Sequence, residues 1–304
     1  MKLHQLRYIR EVHRQGLNVS TAADVLHTSQ PGVSKQIQLL EEELGLQIFH
    51  RSGKRLTSVT EPGMAILNMA ERVLREMENI KRVGEDFTQE SEGCLSIATT
   101  HTQARYRLPP AVKAFVERYP SVQLSIHQGS PKQVSELVIN GEADIGIATE
   151  SIAENDELAA LPCYTWNRCV VVPPGHPLAD GGTLTLERIA QYPIVTYDLG
   201  FTGSTSVKRM FEAQGLNPNI VLTAIDSDVI KTYVELGLGV GLLAKMAYNQ
   251  ERDQNLVMLD ASHLFPDSTT YLGVRRDAYL RGYIYEFIHL IAPHLDRQAV
   301  NAAL

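Results

Sequence analysis

Two sets of residues in this chain suit recognition chemistry rather than bond breaking. The first is Ser29, Gln30, Pro31, Ser34, Lys35 and Gln38, within SQPGVSKQIQLLEEELG. Amides, hydroxyls and one lysine on the N-terminal part of a helix suit base edges and phosphates in a DNA major groove. The second set is spread over three segments. Thr100, Thr102 and Gln103 lie in ATTHTQ, Thr149 ends ADIGIAT, and Thr202 sits in GFTG. Hydroxyls, an amide and backbone N–H groups can hold an oxyanion without a formal cation. On spacing alone, the same threonines equally suit helix caps and strand ends. No catalytic constellation accompanies either set. Ser204, Thr205 and Ser206 have no nearby base and no nucleophile-elbow pattern. The ten histidines and three cysteines show no metal spacing. GLGVGLLA follows a helix and opens a strand, the reverse of a dinucleotide fingerprint. No catalytic residue, metal or cofactor is therefore expected. Asp226 and Asp228 read as helix caps.

The elements around the first set form a helix-turn-helix. Ser20 is the expected N-cap of a first helix with small Ala22 and Ala23, and His27 and Thr28 make the turn. Ser29 caps the second helix and Pro31 suits its first turn. Val33, Ile37, Leu40 and Leu44 mark the buried face, and Gly45 ends the helix. Gln47–Thr60 then reads as two short strands around a Ser-Gly-Lys turn, with Arg51, Lys54 and Arg55 at the tip. A basic hairpin there is a wing, placed to grip phosphates.

Charge follows the same division. The whole chain carries a net charge of −7. Residues 1–60 hold 8 Lys+Arg against 5 Asp+Glu, which leaves +3 there and −10 in the rest. A basic module on an acidic protein binds nucleic acid through that module, not along the whole chain.

Three segments are expected: a DNA-binding domain over 1–60, a linker helix over 61–88, and a second domain over 93–304. In the linker, Thr60 is the cap, and Ile66, Ala70, Val73, Met77 and Ile80 recur at 4, 3, 4, 3. That spacing is a short coiled-coil seam, with Leu67 and Leu74 beside it. From Cys94, strand and helix patterns alternate, which argues an α/β fold with mainly parallel sheets. Ligands of such folds sit at the carboxyl ends of strands, often between two halves. The start is an amphipathic helix rather than a leader, and no apolar run is long enough to span a bilayer. With three cysteines in no even framework, this predicts a cytoplasmic protein with reduced, mostly buried thiols.

These features together resemble a LysR-type transcriptional regulator, and more closely its CysB/Cbl group, regulators of sulfur assimilation and cysteine synthesis. The resemblance covers nearly the whole chain. It rests on LNVSTAADVLHTSQPGVSKQIQLLEEELG, RSGKRLT, ATTHTQARYRLP, ERYPSVQLSIHQGSP, ADIGIATE, LPCYTWNR, QYPIVTYDLGFTG, DSDVIKTYVELGLGVGLLA and APHL. It implies a winged helix-turn-helix, a linker helix, and a two-subdomain α/β effector domain resembling periplasmic binding proteins. The first subdomain would comprise about 93–162 and 268–304, the second about 163–267. It implies that Thr100, Thr102, Gln103, Thr149 and Thr202 line an effector pocket, with Trp166 either bordering it or buried in the core. The implied effectors are O-acetylserine, N-acetylserine, sulfate or thiosulfate, or adenosine phosphosulfate in a Cbl-like protein. A LysR-type regulator of unrelated metabolism is the further alternative. The implied partners are double-stranded promoter DNA, further copies of the chain as a dimer of dimers, and RNA polymerase.

Overall fold

The computed structural model describes residues 1–53, 55–88, 92–198 and 204–304. The chain divides into two units, residues 1–87 with 277–279, and 88–276 with 280–304.

In the first unit, α1 (Leu3–Arg14), α2 (Val19–Val25) and α3 (Gln30–Leu44) precede the hairpin β1 (Phe49–Ser52) and β2 (Arg55–Val59), and α4 (Glu61–Thr88) follows. Leu6, Ile9, Ala22, Val33, Ile37, Leu40, Ile48 and Phe49 form its core with Leu67, Ala70 and Leu74 of α4. The cap of α2 is Asn18, not Ser20: its side chain accepts from the Ser20 and Thr21 amides at 3.1 Å. The positive φ of Leu17 (68°) turns the chain in time for the helix to start there. Ser29 does cap α3, with Oγ 3.3 Å from the Gly32 amide. Gly45 closes α3 in the left-handed region at φ 68°. Leu44 is exposed rather than buried, and Glu41 is buried in the same turn. Glu41 Oε1 accepts from the Ile48 and Phe49 amides, and Oε2 pairs with Arg51 at 2.7 Å.

Thr60 caps α4 through its Oγ1, 2.9 Å from the Gly63 amide. The seam is rotated from its expected position. Ala70 packs into its own domain with Leu67 and Leu74, whereas Met69, Val73, Ile80 and Phe87 are exposed.

The second unit opens with β3 (Gly93–Thr99), α5 (His101–Tyr106), α6 (Leu108–Arg118), β4 (Val122–Gln128), α7 (Pro131–Ile139), β5 (Ile145–Ala148) and β6 (Leu158–Trp166). It continues with β7 (Arg168–Val172), α8 (Leu186–Ala190), β8 (Ile194–Tyr197), α9 (Ser204–Ala213), β9 (Ile220–Ala224), α10 (Ser227–Glu235) and β10 (Val240–Ala244). It ends with β11 (Val257–Asp260), β12 (Ser268–Arg275), α11 (Gly282–Ile291) and α12 (Arg297–Ala303). The strands form two five-stranded sheets, β4-β3-β5-β12-β6 and β11-β7-β10-β8-β9.

The sheets are mixed, not mainly parallel. In the first, β4, β3 and β5 run parallel, while β12 is antiparallel to both neighbours. In the second, β10, β8 and β9 are parallel, and β7 is antiparallel to β10 and β11. Wholly buried runs such as β7 and β10 occupy central positions, as two-sided burial requires. The chain changes sheet at Asn167, later than the expected boundary at 162, because β6 stays paired with β12 through Trp166. Gly239 permits the close approach of β10 to its neighbour: a Cβ there would lie 2.2 Å from the Pro193 carbonyl oxygen. Among the described residues, no helix is long and apolar enough to cross a membrane.

Candidate functional site

The polar face of α3 has the character expected from its residue types. Ser29, Gln30, Pro31, Lys35 and Gln38 are exposed, and Ser34 is half-buried. Gln30 Nε2 donates to Ser34 Oγ at 3.0 Å, so these two side chains hold each other on the surface. A polar hollow of about 460 Å³ joins this helix start to the hairpin, lined by Asn18, Ser20, Gln30 and Arg55 among others. The wing cations differ from one another. Arg55 is exposed, whereas Arg51 is half-buried against Glu41. Lys54 lies outside the described residues. Glu41 was missed as a working residue because a carboxylate late in a helix opposes the dipole. Its contacts with Ile48, Phe49 and Arg51 outweigh that cost.

The second site is assembled by strand register. β3 and β5 are adjacent and parallel, with Thr99 opposite Ile147, so their carboxyl ends lie side by side. Thr100 follows one end and Thr149 the other, and α5 rises directly from the first. Thr99 itself is structural, its hydroxyl donating to the Ile147 carbonyl at 2.8 Å. Thr100, Thr102, Gln103 and Thr149 are all buried. The Thr102 and Thr149 hydroxyls make no hydrogen bond among the described residues. A buried hydroxyl left unpaired costs roughly 1–3 kcal/mol, so one in the first turn of α5 and one just past β5 mark a place for an external acceptor. Thr102 reaches toward Tyr197 of the second sheet without closing a hydrogen bond. Burial pushes the Tyr197 phenol up, and its contacts with the Ala244 amide, Ser227 and Thr102 act the other way. The two sheets thus meet at these hydroxyls.

Gln103 is more committed than its sequence role implied. Its Oε1 accepts from the Tyr164 hydroxyl, and its Nε2 donates to Thr270 Oγ1 at 3.3 Å. One amide hydrogen remains for other use. Trp166 is buried, its Nε1 donating to the same Thr270 oxygen at 3.1 Å. The Arg168 guanidinium carbon lies 5.3 Å from the centroid of the Trp166 ring. Trp166 is therefore both a core aromatic and a member of the network behind the threonines. Thr202 lies outside the described residues.

On the other side stand Arg105 and Tyr106 of α5, with no role in the sequence reading, and Asp226 and Asp228, read there as helix caps. Asp226 caps α10 at 2.8 Å from the Val229 amide, as expected. Asp228 is no cap: it accepts from the Tyr106 hydroxyl at 2.5 Å and faces Arg105 Nε at 3.2 Å. Burial favours its neutral form, but Tyr106, Lys231 and Arg105 outweigh this and hold Asp228 below the ordinary aspartate range. Burial, then the bond to Asp228, pushes the Tyr106 phenol up to about 12, so it stays a donor. His101, Asp226 and Asp228 are the one group of possible metal ligands found among the described residues. Both carboxylates are already engaged, and Arg105 and Lys231 stand beside them. Of the thiols, Cys163 and Cys169 are buried and Cys94 is exposed, in line with mostly buried thiols.

Residues 3–64 match the bacterial regulatory helix-turn-helix proteins of the lysR family. Residues 88–296 match the LysR substrate binding domain. The chain belongs to the LysR family of bacterial transcriptional regulators. It is similar to the HTH-type transcriptional regulator CysB of Burkholderia cenocepacia, at 52% identity over 304 residues, covering 100% of this chain and 97% of that one. The regulator SsuR of the same organism is 51% identical, covering 100% and 99%. Among solved structures, the cofactor-binding domain of the Cbl transcriptional regulator superposes with a TM-score of 0.68 at 45% identity. It covers 71% of this chain and 94% of that one.

Proposed function

We propose that this protein is a cytoplasmic DNA-binding regulator of sulfur assimilation and cysteine biosynthesis genes, responsive to a small sulfur-pathway metabolite. The observation that carries the effector half is the pair of buried, unbonded hydroxyls of Thr102, in the first turn of α5, and Thr149, at the carboxyl end of β5. With Thr100, Gln103 and Thr202 they form a neutral donor set suited to sulfate, thiosulfate or the carboxylate of an acetylserine. Tyr164 and Thr270 hold Gln103 behind them, and Trp166 donates to Thr270 in turn. The similarity to CysB, SsuR and Cbl regulators supports the sulfur assignment. A Cbl-like sensor of adenosine phosphosulfate is the second reading, supported by the Cbl domain structure.

Ser29, Gln30, Pro31, Ser34, Lys35 and Gln38 read promoter DNA in the major groove, and Arg51, Lys54 and Arg55 form the basic wing along the phosphates. In this role Arg51 works partly through Glu41, and Arg55 contacts the backbone directly. The exposed Met69, Val73, Ile80 and Phe87 of α4 favour pairing with a second copy. Two such dimers form the tetramer, which acts on RNA polymerase at the promoter. An effector binds the two arrangements of the sensor domain unequally and so shifts the spacing of the DNA-binding domains.

Isothermal titration with O-acetylserine, N-acetylserine, sulfate and thiosulfate tests the effector site. Binding that Thr100→Ala abolishes supports it, and binding that survives Thr100→Ala, Thr102→Ala and Thr149→Ala refutes it. Lys35→Ala tests the DNA face. It should weaken specific binding and reduce the salt slope by about one. An unchanged slope removes Lys35 from the interface.

A further inference from the structure

α5 is a helix of under two turns that carries part of the effector site on one side and a set of cross-cleft contacts on the other. Thr102 and Gln103 face the buried network. His101, Arg105 and Tyr106 all reach one carboxylate on α10, in the other subdomain. Tyr106 donates to Asp228 Oδ1 at 2.5 Å. Arg105 Nε lies 3.2 Å from Oδ2, and His101 Nε2 lies 4.0 Å from it. Asp228 is in turn tied to the second subdomain through Lys231, 3.3 Å away. Lys231 is buried and donates to both Asp253 and the Ala247 carbonyl at 3.0 Å. Its ammonium also lies 5.3 Å from the Tyr106 ring centroid. Burial works against the Lys231 charge, but Asp253 and Tyr106 outweigh it and hold its pKa above the ordinary lysine range.

An exposed ion pair at such a place would contribute little. This one differs in two respects. The Tyr106 bond is short and charge-assisted, a class roughly twice as strong as neutral bonds. Its acceptor is fixed by a buried lysine rather than by a mobile surface chain. The chain itself passes between the subdomains at Asn167 and between Asp260 and Ser268, an arrangement that permits hinging. A bond from α5 to α10 acts directly on that hinge.

We propose that Asp228 is the positioning residue of the effector site. By gripping α5 from the second subdomain, it sets how far the cleft closes over Thr100, Thr102 and Thr149, and so sets effector affinity and exchange. This rests on the reading of those threonines as the oxyanion site. Asp228 touches no effector itself and acts through Tyr106 and Arg105. Weakening the grip lowers the fraction of closed cleft, and apparent affinity falls by that fraction. Dissociation then quickens, because the cleft opens more often. Association quickens too wherever opening limits entry.

Stopped-flow titration of the intact protein with sodium sulfate tests this, with Trp166, the sole tryptophan, as the fluorescent probe. The variants are Tyr106→Phe, Asp228→Asn and their double, with Thr149→Val as the control on the site itself. Each single variant is expected to weaken sulfate by about tenfold to 150-fold, the range a charge-assisted hydrogen bond spans. Dissociation should account for most of the loss, with association unchanged or faster. The double variant should lose little more than either single one, since both remove the same contact. Thr149→Val should weaken sulfate on its own. A wild type that responds and is sensitive to Thr149→Val, beside latch variants with its affinity and rates, overturns the proposal alone. A wild type without response, or one insensitive to Thr149→Val, overturns the site reading and the proposal with it. Lower amplitude at unchanged rates in both single variants, the mark of a partly misfolded sample, also overturns it.

Discussion

Removing the Glu41 carboxylate should detach the β1–β2 hairpin from α3. Glu41 Oε1 is 2.9 Å from the Ile48 amide and 3.2 Å from that of Phe49, and Oε2 is 2.7 Å from Arg51. Ile48 and Phe49 are wholly buried, so water cannot replace the lost acceptor. Each buried amide left unpaired costs roughly 1–3 kcal/mol. Two of them put Glu41→Ala near ~3 kcal/mol once partial relaxation is allowed. Arg51 is about a quarter exposed and can turn to solvent, so it adds little. Glu41→Gln keeps an acceptor for both amides and should cost about 1 kcal/mol. Hydrogen exchange by mass spectrometry on the intact chain reads the effect directly. In Glu41→Ala, exchange over residues 46–53 should quicken about a hundredfold, since each 1.4 kcal/mol is about tenfold. DNA affinity should fall with it, because the wing no longer holds its angle to α3. Protection within threefold of wild type would refute the argument. So would an equal loss of protection across all of residues 3–74, which would place the effect in the domain core.

Further outcomes follow from single side chains. Asn18→Ala should destabilise the first domain by about 1 kcal/mol in thermal melts, while Ser20→Ala stays near neutral. The reverse order would return the cap to Ser20. Burial pushes the Cys163 and Cys169 thiols up to about 12, so the folded protein should react rapidly with a thiol reagent at Cys94 alone. All three should react after unfolding, and three fast thiols in the folded protein would contradict the buried assignment. Because the folded-state pKa of Asp228 is depressed, its contribution is present above the ordinary aspartate range and is lost as pH falls below it. Sulfate affinity should therefore be level from about pH 8 to 5 and weaken only below about pH 4. Loss of affinity centred near pH 6 would instead point to a histidine.

Local signals were legible in the sequence, and long-range ones were not. Ser29, Pro31 and Gly45 delimit α3 because caps depend only on neighbouring residues. Sequence alone places the cap of α2 at Ser20, two residues late, because the positive φ of Leu17 that starts the helix at Asn18 carries no sequence signal. Helical spacing identified the apolar side of α4 but not its rotation, so Ala70 was assigned to the wrong face. Strand direction escaped because a buried antiparallel strand such as β7 and a buried parallel one such as β8 are both short apolar runs. The threonines at strand ends follow from where ligands sit in α/β folds, together with the family resemblance. Their supports do not. Tyr164 and Thr270 meet Gln103 from 61 and 167 positions away, and Asp228 meets Tyr106 from 122. No periodicity encodes such pairings. Glu41 carried only an adverse sign in the dipole rule, and its two amide partners become apparent only once the wing folds back onto α3.

In the proposed function, one chain reads promoter DNA and changes that reading when its threonine cleft is occupied. The most direct test is a footprint of the intact protein on a cysteine-biosynthesis promoter, with and without N-acetylserine or sulfate. Wild type and Thr102→Val should be measured side by side. The expected result is a footprint for both proteins without effector, and an effector-dependent change in wild type alone. An identical change in Thr102→Val, or no change in wild type with any of the sulfur effectors, would contradict it.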